Sequence, residues 1–264
     1  RTVAVCILLT FSLLERSFGQ RTMGIQNAKS HQRAETIQLE PSVQAALQTR
    51  PVESDVPSYA TRLEETVVHI GNQYRYGQLY SDFLKARKSV FIDQKEWDLP
   101  HTEGMEFDQY DTPQSRSVVI HEYGRVLAGV RLLPTTAQCG CYTYMLKDAQ
   151  RGMLPDIPEY VLYEDAPVMP HVWEATRLFL SKNEPAHRRL AIQTKLIRGM
   201  ARAATEQGAT HVIGIVPAVF QRWMNRLGMS ALPLGPKLNI SGDNTQAAIM
   251  HVANYADPTP SEAR

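Results

Sequence analysis

The sequence has few cysteines, and its charges nearly cancel. Cys6, Cys139 and Cys141 form no CxxC pair and have no histidine at metal-ligand spacing, which argues against a zinc site. One glycine separates Cys139 from Cys141, a poor geometry for a disulfide, and this usage is typical of a reducing compartment. The formal net charge of +1 provides no global field for nucleic acid, so any basic site must be local.

Long apolar runs are also scarce. Residues 3–14 form an apolar run that has the length of a signal-peptide core and is too short to span a bilayer comfortably. The chain begins at Arg1 rather than Met, and Met23 is an alternative start. Export is one interpretation of this run, but the chemistry considered below favours a cytoplasmic location without a stable membrane span.

The chain divides by composition into an arm, a domain and a tail. The hydrophobic content of 43% with 21% charged residues is ordinary for a globular protein. Residues 20–62 are rich in Gln, Ser, Thr, Glu and Ala with little apolar periodicity. We therefore expect an apolar run and a polar, disordered arm over 1–62, one catalytic domain over 63–255 and a flexible tail over 256–264.

Apolar periodicity and turn residues predict a mixed α/β domain. Strands that form a hairpin, followed by alternating strands and helices, indicate one mixed sheet with helices on its faces. The predicted elements are a strand near 65–72, a helix over 80–97, an antiparallel hairpin over 116–134, a short helix over 143–153, a strand over 172–180, helices over 185–208 and 218–228 with a strand at 211–217 between them, and then a short strand and tail.

Arg131 interrupts the apolar strand "GRVLAGVRLLP". Alternation places it on the same face as Leu127, Gly129 and Leu133. A solvated edge strand would explain it, but a buried arginine needs a carboxylate partner, since desolvating an unpaired charge is costly. "WEATRLF" raises the same question, because Glu174 and Arg177 would point to opposite faces of a regular strand, and a bulge would turn both into one cleft.

The segment "GMEFDQYD" concentrates acids beside aromatic residues. It lacks the spacing of an EF-hand, and no histidine lies at zinc-ligand spacing, so no metal is expected. Arg87 alone fits a solvated helix position, and Phe91 and Trp97 fit a core. Taken together, however, three arginines and four acids stand where apolar or neutral residues are usual, which indicates a semi-buried ion network lining a cleft: Arg87, Arg131, Arg177, Glu106, Asp108, Asp111 and Glu174.

Four segments carry a resemblance to a known family. "ARKSVFIDQKEW", "GMEFDQYD", "AGVRLLPTT" and "WEATRLFL", in this order and spacing, resemble the acyl-homoserine-lactone synthases, the autoinducer synthases of bacterial quorum sensing. The resemblance covers roughly residues 65–230. Every position of the family's pattern is filled: Arg87, Phe91, Trp97, Asp108, Asp111, Arg131, Glu174 and Arg177.

The resemblance implies a fold, substrates and roles. The fold would be similar to that of the GNAT N-acetyltransferases, a largely antiparallel mixed sheet splayed at a bulged strand, with helices on both faces. The substrates would be S-adenosylmethionine and an acyl thioester on acyl carrier protein or coenzyme A, with no further cofactor. Asp108 and Asp111 would supply negative charge for the sulfonium and ammonium groups, placed by Arg87 and Arg131, and Phe91 and Trp97 would wall the adenosyl site, while Phe107 and Tyr110 would pack the loop.

The amine of S-adenosylmethionine must lose a proton before it attacks the acyl carbonyl. Glu174 is the candidate general base, directly or through a water, with Arg177 and Arg131 orienting it and Thr176 as the alternative. Gly214 is aligned with a position where synthases that prefer 3-oxo chains commonly carry threonine, so we expect an acyl-pocket role and an unsubstituted chain.

The helix over 185–208 carries basic residues and no acid between Glu184 and Glu206. Such a stripe suits an acidic carrier protein or the phosphates of coenzyme A, although a solvated helix face would look the same. Its members are Arg188, Arg189, Lys195, Arg198 and Arg202.

Two other functions remain open at this point. A GNAT-type N-acyltransferase acting on another amine would share the fold, but the glycine-rich pyrophosphate loop of acetyl-CoA users is missing before the basic helix. A non-enzymatic nucleic-acid or membrane-surface binder would use the basic helix and leave Arg131, Glu174 and Arg177 unexplained; no nucleic-acid partner is expected, because no recognition motif accompanies the charges.

Overall fold

The computed structural model describes residues 63–253, except for 183, 218–219, 221–223 and 225–229. The predicted arm over 1–62 and tail over 256–264 therefore lie outside the described residues. Most of the helix predicted over 218–228 does so too; within it, Phe220 and Met224 are described, and both are helical and buried. The described residues belong to one compact unit.

A seven-stranded sheet organises the domain, in the order β1–β4–β5–β6–β7–β9–β8. Neighbouring strands are antiparallel except for β6 and β7, which are parallel. A separate two-stranded hairpin pairs β2 with β3. The strands are β1 (Glu64–Val68), β2 (His101–Thr102), β3 (Met105–Glu106), β4 (Arg116–Glu122), β5 (Arg125–Pro134), β6 (Val172–Leu180), β7 (His211–Pro217), β8 (Ala231–Ile240) and β9 (Asp243–His251).

The sheet opens between its two parallel strands. Among the described residues, β6 and β7 pair at three positions, the last of which joins Glu174 to Ile213. Beyond this point β6 stays on β5 and β7 stays on β9, so the two strands separate. The predicted sheet, splayed at one strand and largely antiparallel, is confirmed, and it is the GNAT-like arrangement.

A bulge in β6 lies at the same place. Thr176 pairs with Arg131 and Phe179 with Gly129, so β6 has one more residue than β5 over this interval. Arg177 has φ of 54°, a left-handed conformation that is uncommon for a residue with a side chain. The extra residue reverses the alternation, and Arg177 therefore points to the same face as Thr176 and Glu174. The sequence predicted this bulge.

Three α-helices whose bounds lie within the described residues accompany the sheet: α1 (Leu79–Lys88), α2 (Met145–Gln150) and α3 (Ala186–Glu206). A π-helical turn (Ser89–Gln94) continues α1, so the predicted helix over 80–97 is shorter and changes its winding. None of the helices in the described part of the chain is long and apolar enough to cross a membrane.

Helices α1 and α3 cover opposite faces of the sheet. On β5, a Cβ at Gly129 would overlap the ring of Phe83, so the close packing of α1 on this strand requires glycine there. The adjacent Ala128 points to the opposite face of the sheet. It pairs across the strands with Ile120, which in turn pairs with Glu65, and Glu65 contacts α3 on that face. Ile192, Leu196 and Met200 of α3 are buried, as its periodicity indicates.

The C-terminal hairpin of β8 and β9 is longer than the short strand that the sequence predicts. The sequence of β8 does not predict a strand, because it contains Pro233, Gly235 and Pro236, and proline and glycine are unfavourable inside a sheet. They are tolerated here because β8 is the edge strand and its register with β9 shifts between Pro233 and Lys237.

Candidate active site

A tight turn brings the acidic segment against the sheet. Between β2 and β3, Glu103 and Gly104 have φ of 51° and 78°, the pair of positive values that a type I′ hairpin turn requires. The chain then returns through Glu106, which is fully buried, and Phe107, which is 43% exposed. The acidic loop, residues 106–111, thus turns Glu106 and Asp108 inward and leaves Phe107 exposed between them. Tyr110 packs inside as expected, whereas the expectation that Phe107 packs the loop is wrong.

Arg87 joins the two ends of the acidic loop. It lies in the last turn of α1, and its Nε donates to Glu106 at 2.6 Å. Its two terminal nitrogens donate to the two carboxylate oxygens of Asp111 at 2.7 and 2.9 Å, a bidentate pair. Arg87 is fully buried, so the solvated helix arginine is excluded.

Arg131 and Arg177 hold the middle of the acidic loop. Arg131 makes a bidentate pair with Asp108, lies 2.9 Å from Asp111, and donates from Nε to Thr176 Oγ1 at 3.0 Å. Arg177 reaches Glu106 at 2.9 Å and Asp108 at 2.8 Å. The structure thus places the three arginines and three of the four predicted acids in one ion network, defined by Arg87, Arg131, Arg177, Glu106, Asp108 and Asp111.

The ion network is electrically balanced. Three guanidiniums oppose three carboxylates, and 3 − 3 = 0. The expected placement of Asp108 and Asp111 by Arg131 and Arg87 is present. Because these arginines also balance the charge of both aspartates, the ion network as a unit offers no net negative charge to a cleft. Nη1 of Arg177 is buried and has no hydrogen-bond partner among the described residues.

Mutual pairing favours the charged forms of four groups in the ion network: Arg87, Arg131, Glu106 and Asp111. Burial alone would lower the pKa of Arg87 and of Arg131, but the facing carboxylates raise both above the usual arginine value. Burial alone would raise the pKa of Glu106 and of Asp111. Arg177 and Arg87 instead hold the pKa of Glu106 well below its usual range. In the same way, Arg131 and Arg87 hold the pKa of Asp111 well below its usual range.

Phe91, in the π-helical turn, contacts the ion network and stacks on Trp97. The rings of Phe91 and Trp97 are stacked, with centroids 5.3 Å apart and planes inclined by 18°. The guanidinium of Arg177 lies 5.7 Å from the centroid of Phe91. Both aromatic residues are buried, and Trp97 is 6% exposed.

Glu174 lies next to the ion network but is not paired with its arginines. Its two carboxylate oxygens accept hydrogen bonds from the backbone N–H groups of Met145 and Leu146, at 2.9 and 2.8 Å. The expectation that Arg131 and Arg177 orient Glu174 is therefore wrong, because the first residues of α2 do so. Burial raises the pKa of Glu174 to about 7, against the opposing effect of these two N–H donors and of Arg131.

Two of the five predicted basic residues of α3 are paired with acids from outside the helix. Arg188 binds Glu122 at 3.0 Å and Glu184 at 3.1 Å, and Arg202 pairs with Glu65. Arg189 donates to backbone carbonyls of Glu184 and Lys182. Within the described part of the chain, Lys195 and Arg198 have no ion pair, so the predicted stripe is narrower than the sequence indicates.

Gly214 lies on β7 directly after the last pair that joins β6 to β7. It is buried and pairs on its other side with Ala248 of β9. The residue predicted for the acyl pocket therefore stands where the sheet opens, one position beyond the partner of Glu174.

A sequence comparison identifies the family. Residues 72–256 match the autoinducer synthase family over most of the chain. The chain belongs to this family.

Individual autoinducer synthases agree with this assignment. An acyl-homoserine-lactone synthase of Pseudomonas aeruginosa is 29% identical over 172 residues, which are 64% of this chain and 77% of that protein. The crystal structure of the AHL synthase LasI superposes with a TM-score of 0.61 at 23% identity, covering 73% of this chain and 91% of that one. A CoA-dependent acyl-homoserine lactone synthase, BjaI, solved with SAM and isopentyl-CoA, gives a TM-score of 0.59 at 22% identity, covering 74% and 86%. Both solved structures share the fold.

Two residues in or near the site of this autoinducer synthase carry little signal in its sequence. Glu106, noted as one of several acids, bridges Arg87 and Arg177 at the centre of the ion network. Its separation of two residues from Asp108 was a usable signal, since in an extended segment such residues share a face. Asp148, whose carboxylate is fully buried on α2, carried no signal beyond an acid in a short helix.

Among the described residues, no group of three or more potential ligands could hold a metal ion.

Proposed function

We propose that this autoinducer synthase is an acyl-homoserine-lactone synthase. It acylates the amine of S-adenosylmethionine from an acyl thioester and then closes the lactone with release of methylthioadenosine, for quorum sensing. The observation that carries the proposal is the buried ion network beside Glu174, at the point where the sheet opens. The names of the curated relatives in the family support the same reaction.

The proposed chemistry has two steps. A base first takes one proton from the ammonium, and the resulting amine nitrogen attacks the acyl carbonyl. The carbon–sulfur bond then breaks, and the leaving thiolate takes up the second proton that the nitrogen loses. A carboxylate oxygen then attacks the γ-carbon of the same molecule, and the sulfonium leaves as methylthioadenosine. S-adenosylmethionine is consumed as a substrate, so this chemistry requires no further cofactor.

Glu174 is the proposed general base. Its buried carboxylate titrates near pH 7, where a base of this kind works best, and it is not neutralised by an arginine pair. Thr176, whose hydroxyl accepts a hydrogen bond from Arg131, is less suited to take a proton. We assign Arg131 and Arg177 to holding the acidic loop, and the free Nη1 of Arg177 to an acceptor on the substrate.

The S-adenosylmethionine site is proposed from the surrounding residues. Arg87, Asp108 and Asp111 would form its rigid base, since their pairing fixes each side chain. Phe91 and Trp97 would offer aromatic faces to the adenosyl and sulfonium groups. Glu174 would supply the surplus negative charge for the ammonium.

The opening between β6 and β7 is the proposed entry for the acyl thioester. Among the described residues the facing edges of β6 and β7 do not pair beyond Glu174 and Ile213, and backbone groups on such edges suit an extended pantetheine arm. The acyl chain would lie near Gly214, and Lys195 and Arg198 would contact an acidic carrier protein or the phosphates of coenzyme A. Since BjaI was solved with isopentyl-CoA, both donors deserve a test. These substrates are cytoplasmic, and we propose that location for the protein.

Incubation of the full chain with S-adenosylmethionine and matched thioesters of acyl carrier protein and coenzyme A tests the proposal. Mass spectrometry should detect an acyl-homoserine lactone and methylthioadenosine in equal amounts. Glu174→Gln should abolish both products, whereas Glu164→Gln, at an exposed position, should not. Transfer of the acyl group to another amine, without lactone, would refute the synthase assignment and favour an N-acyltransferase.

A further inference from the structure

Asp148 on α2 is a buried carboxylate that the proposed reaction leaves without a role. The residue is 0% exposed. Its Oδ2 accepts hydrogen bonds from the Thr143 N–H at 2.9 Å and from the Tyr110 hydroxyl at 3.1 Å. Its Oδ1 accepts from Thr143 Oγ1 at 2.7 Å and lies 3.3 Å from Nη1 of Arg151. Four donors therefore converge on this one side chain.

These hydrogen bonds hold the segment that contacts Glu174. Thr143 is anchored to Asp148 through both its backbone and its side chain, and only Tyr144 separates it from Met145. Met145 and the next residue, Leu146, donate their N–H groups to Glu174. The carboxylate of Asp148 thus reaches back across the first turn of α2 and fixes the direction in which the chain enters that turn.

Tyr110 connects the same carboxylate to the acidic loop. Its hydroxyl donates to Asp148, while its backbone N–H donates to Oδ1 of Asp108 at 2.9 Å. The guanidinium of Arg131 lies 5.6 Å from the centre of the Tyr110 ring. A displacement of Asp148 would therefore disturb both the ion network and the donors to Glu174.

We propose that Asp148 is a positioning residue for Glu174. It holds residues 143–146 so that two N–H groups stay on the Glu174 carboxylate, and through Tyr110 it keeps that carboxylate in register with the acidic loop. The inference rests on the proposed role of Glu174 as the general base, because positioning matters to the reaction only if Glu174 takes the proton.

Asp148 has two opposite effects on the pKa of Glu174, one through its charge and one through the residues that it holds in place. Arg131 from β5 lowers the pKa of Glu174, and Asp148 from α2 raises it. The neighbouring Tyr110 and Tyr144 have a pKa raised first by burial and also by the charge of Glu174. If Asp148 acted only as a nearby negative charge, its neutralisation would lower the pKa of Glu174. If it holds the two N–H donors in place, their loss would raise that pKa, since these donors stabilise the ionised carboxylate.

A carbon-detected NMR titration of glutamate carboxyl groups in the full chain measures this directly. The signal of Glu174 is assigned by its absence in Glu174→Gln. We expect Asp148→Asn to raise the pKa of Glu174 by roughly half a pH unit or more. Thr143→Val removes one anchor and leaves the Asp148 charge, so it should shift the pKa in the same direction by less. Lys147→Gln, a change of one charge on the same helix, is the matched control and should shift it little.

Steady-state kinetics provides the second measurement. A displaced base should reduce kcat by roughly tenfold or more in Asp148→Asn, with KM for S-adenosylmethionine nearly unchanged. An unchanged or lowered pKa of Glu174 in both Asp148→Asn and Thr143→Val would overturn the inference. If Asp148→Asn does not fold, Thr143→Val decides alone. If the unaltered chain makes no lactone, the proposed function fails, and the NMR titration still decides whether Asp148 positions Glu174.

Discussion

Arg87, Arg131 and Arg177 are fully buried, and carboxylates rather than water compensate their charges. Desolvation of an ion pair offsets much of its attraction, so the net contribution of the ion network to stability is modest. Removal of a single member is different, because its partners stay buried without compensation. The ion network therefore serves mainly to hold the acidic loop in one arrangement.

Arg131→Ala should destabilise the protein and abolish activity. Asp108 and Asp111 would lose their shared partner, which we expect to cost about 3–5 kcal/mol. For a domain of this size the fall in Tm would be roughly 10 °C. Calorimetry on the purified variant measures it, with Arg75→Ala, at an exposed arginine, as the control. An inactive Arg131→Ala with unchanged Tm would mean that the pairing does not contribute to the fold.

Glu174 gives a prediction for pH. Because its pKa is raised to about 7, the proposed base is protonated in the free enzyme at lower pH, and kcat/KM should fall roughly tenfold for each pH unit below 7. The same shift stabilises the fold below pH 4.5, and this contribution is lost as the pH rises through about 7. Glu174→Gln should lack activity, and Glu164→Gln should retain the profile. A pH-independent rate between 5 and 8 would exclude Glu174 as the base.

At this scale the sequence predicts which residues are exceptional but not which of them pair. An arginine inside an apolar strand needs a partner, and this alone indicates that Arg131 is buried. The choice of Asp108 and Asp111 over Glu174 depends on the path of the acidic loop, which the β2–β3 turn sets. The donors to Glu174 are backbone groups, which carry no side-chain signal.

At the scale of elements, the opening between β6 and β7 arises from local features. The bulge at Arg177 and the divergence after Glu174 lie within a few residues of each other. The predicted strand over 172–180 is confirmed with these bounds, and every residue from Val172 to Leu180 is buried. The divergence could not be predicted from the strand itself, because it depends on β7 pairing with β9.

Gly214→Thr should alter acyl selectivity at this opening. A threonine hydroxyl can donate a hydrogen bond to a 3-oxo oxygen, whereas glycine would leave that oxygen buried and unpaired, at a cost of about 1–3 kcal/mol. We expect the unaltered chain to prefer unsubstituted acyl thioesters roughly tenfold or more, and Gly214→Thr to narrow or reverse this preference. Gly214→Val is the control: valine has the shape of threonine but no hydroxyl, so this variant should keep the preference for unsubstituted acyl thioesters. Competition assays at equal chain length decide, and a preference of the unaltered chain for 3-oxo substrates would contradict the prediction.

Helix α3 gives a second prediction at this scale, for the carrier protein. Lys195 and Arg198 have no ion pair within the described part of the chain, so they can attract an acidic partner, whereas Arg188 and Arg202 are already paired. Lys195→Glu with Arg198→Glu should raise KM for acyl carrier protein thioesters roughly tenfold at low salt and leave KM for S-adenosylmethionine unchanged. Lys237→Glu on β8 is the control. If Lys237→Glu raised KM for acyl carrier protein thioesters as much as the double variant on α3, the docking surface would lie elsewhere.

At the scale of the whole molecule, the net charge of +1 conceals a strong internal separation of charge. The ion network is neutral as a unit and buried, so it adds nothing to the external field. The remaining surplus lies on α3, which supports a local docking surface rather than a general polyanion-binding protein. The composition alone argues against a general polyanion-binding protein, but it does not show where a local docking surface lies.

The domain boundary near residue 63 is the last prediction. The sheet, the helices on both faces and the ion network all lie within residues 63–253, so a chain that starts at residue 63 should fold and make lactone at a rate similar to that of the full chain. A chain that starts at residue 70 is the matched control. It would lack β1, exposing the edge of β4 and leaving Arg202 without Glu65, and should be insoluble or much less stable. Circular dichroism melting and lactone assays on both chains decide between these outcomes. Loss of folding or activity in the chain that starts at residue 63 would show that the preceding residues contribute to the domain, and the predicted boundary would be wrong.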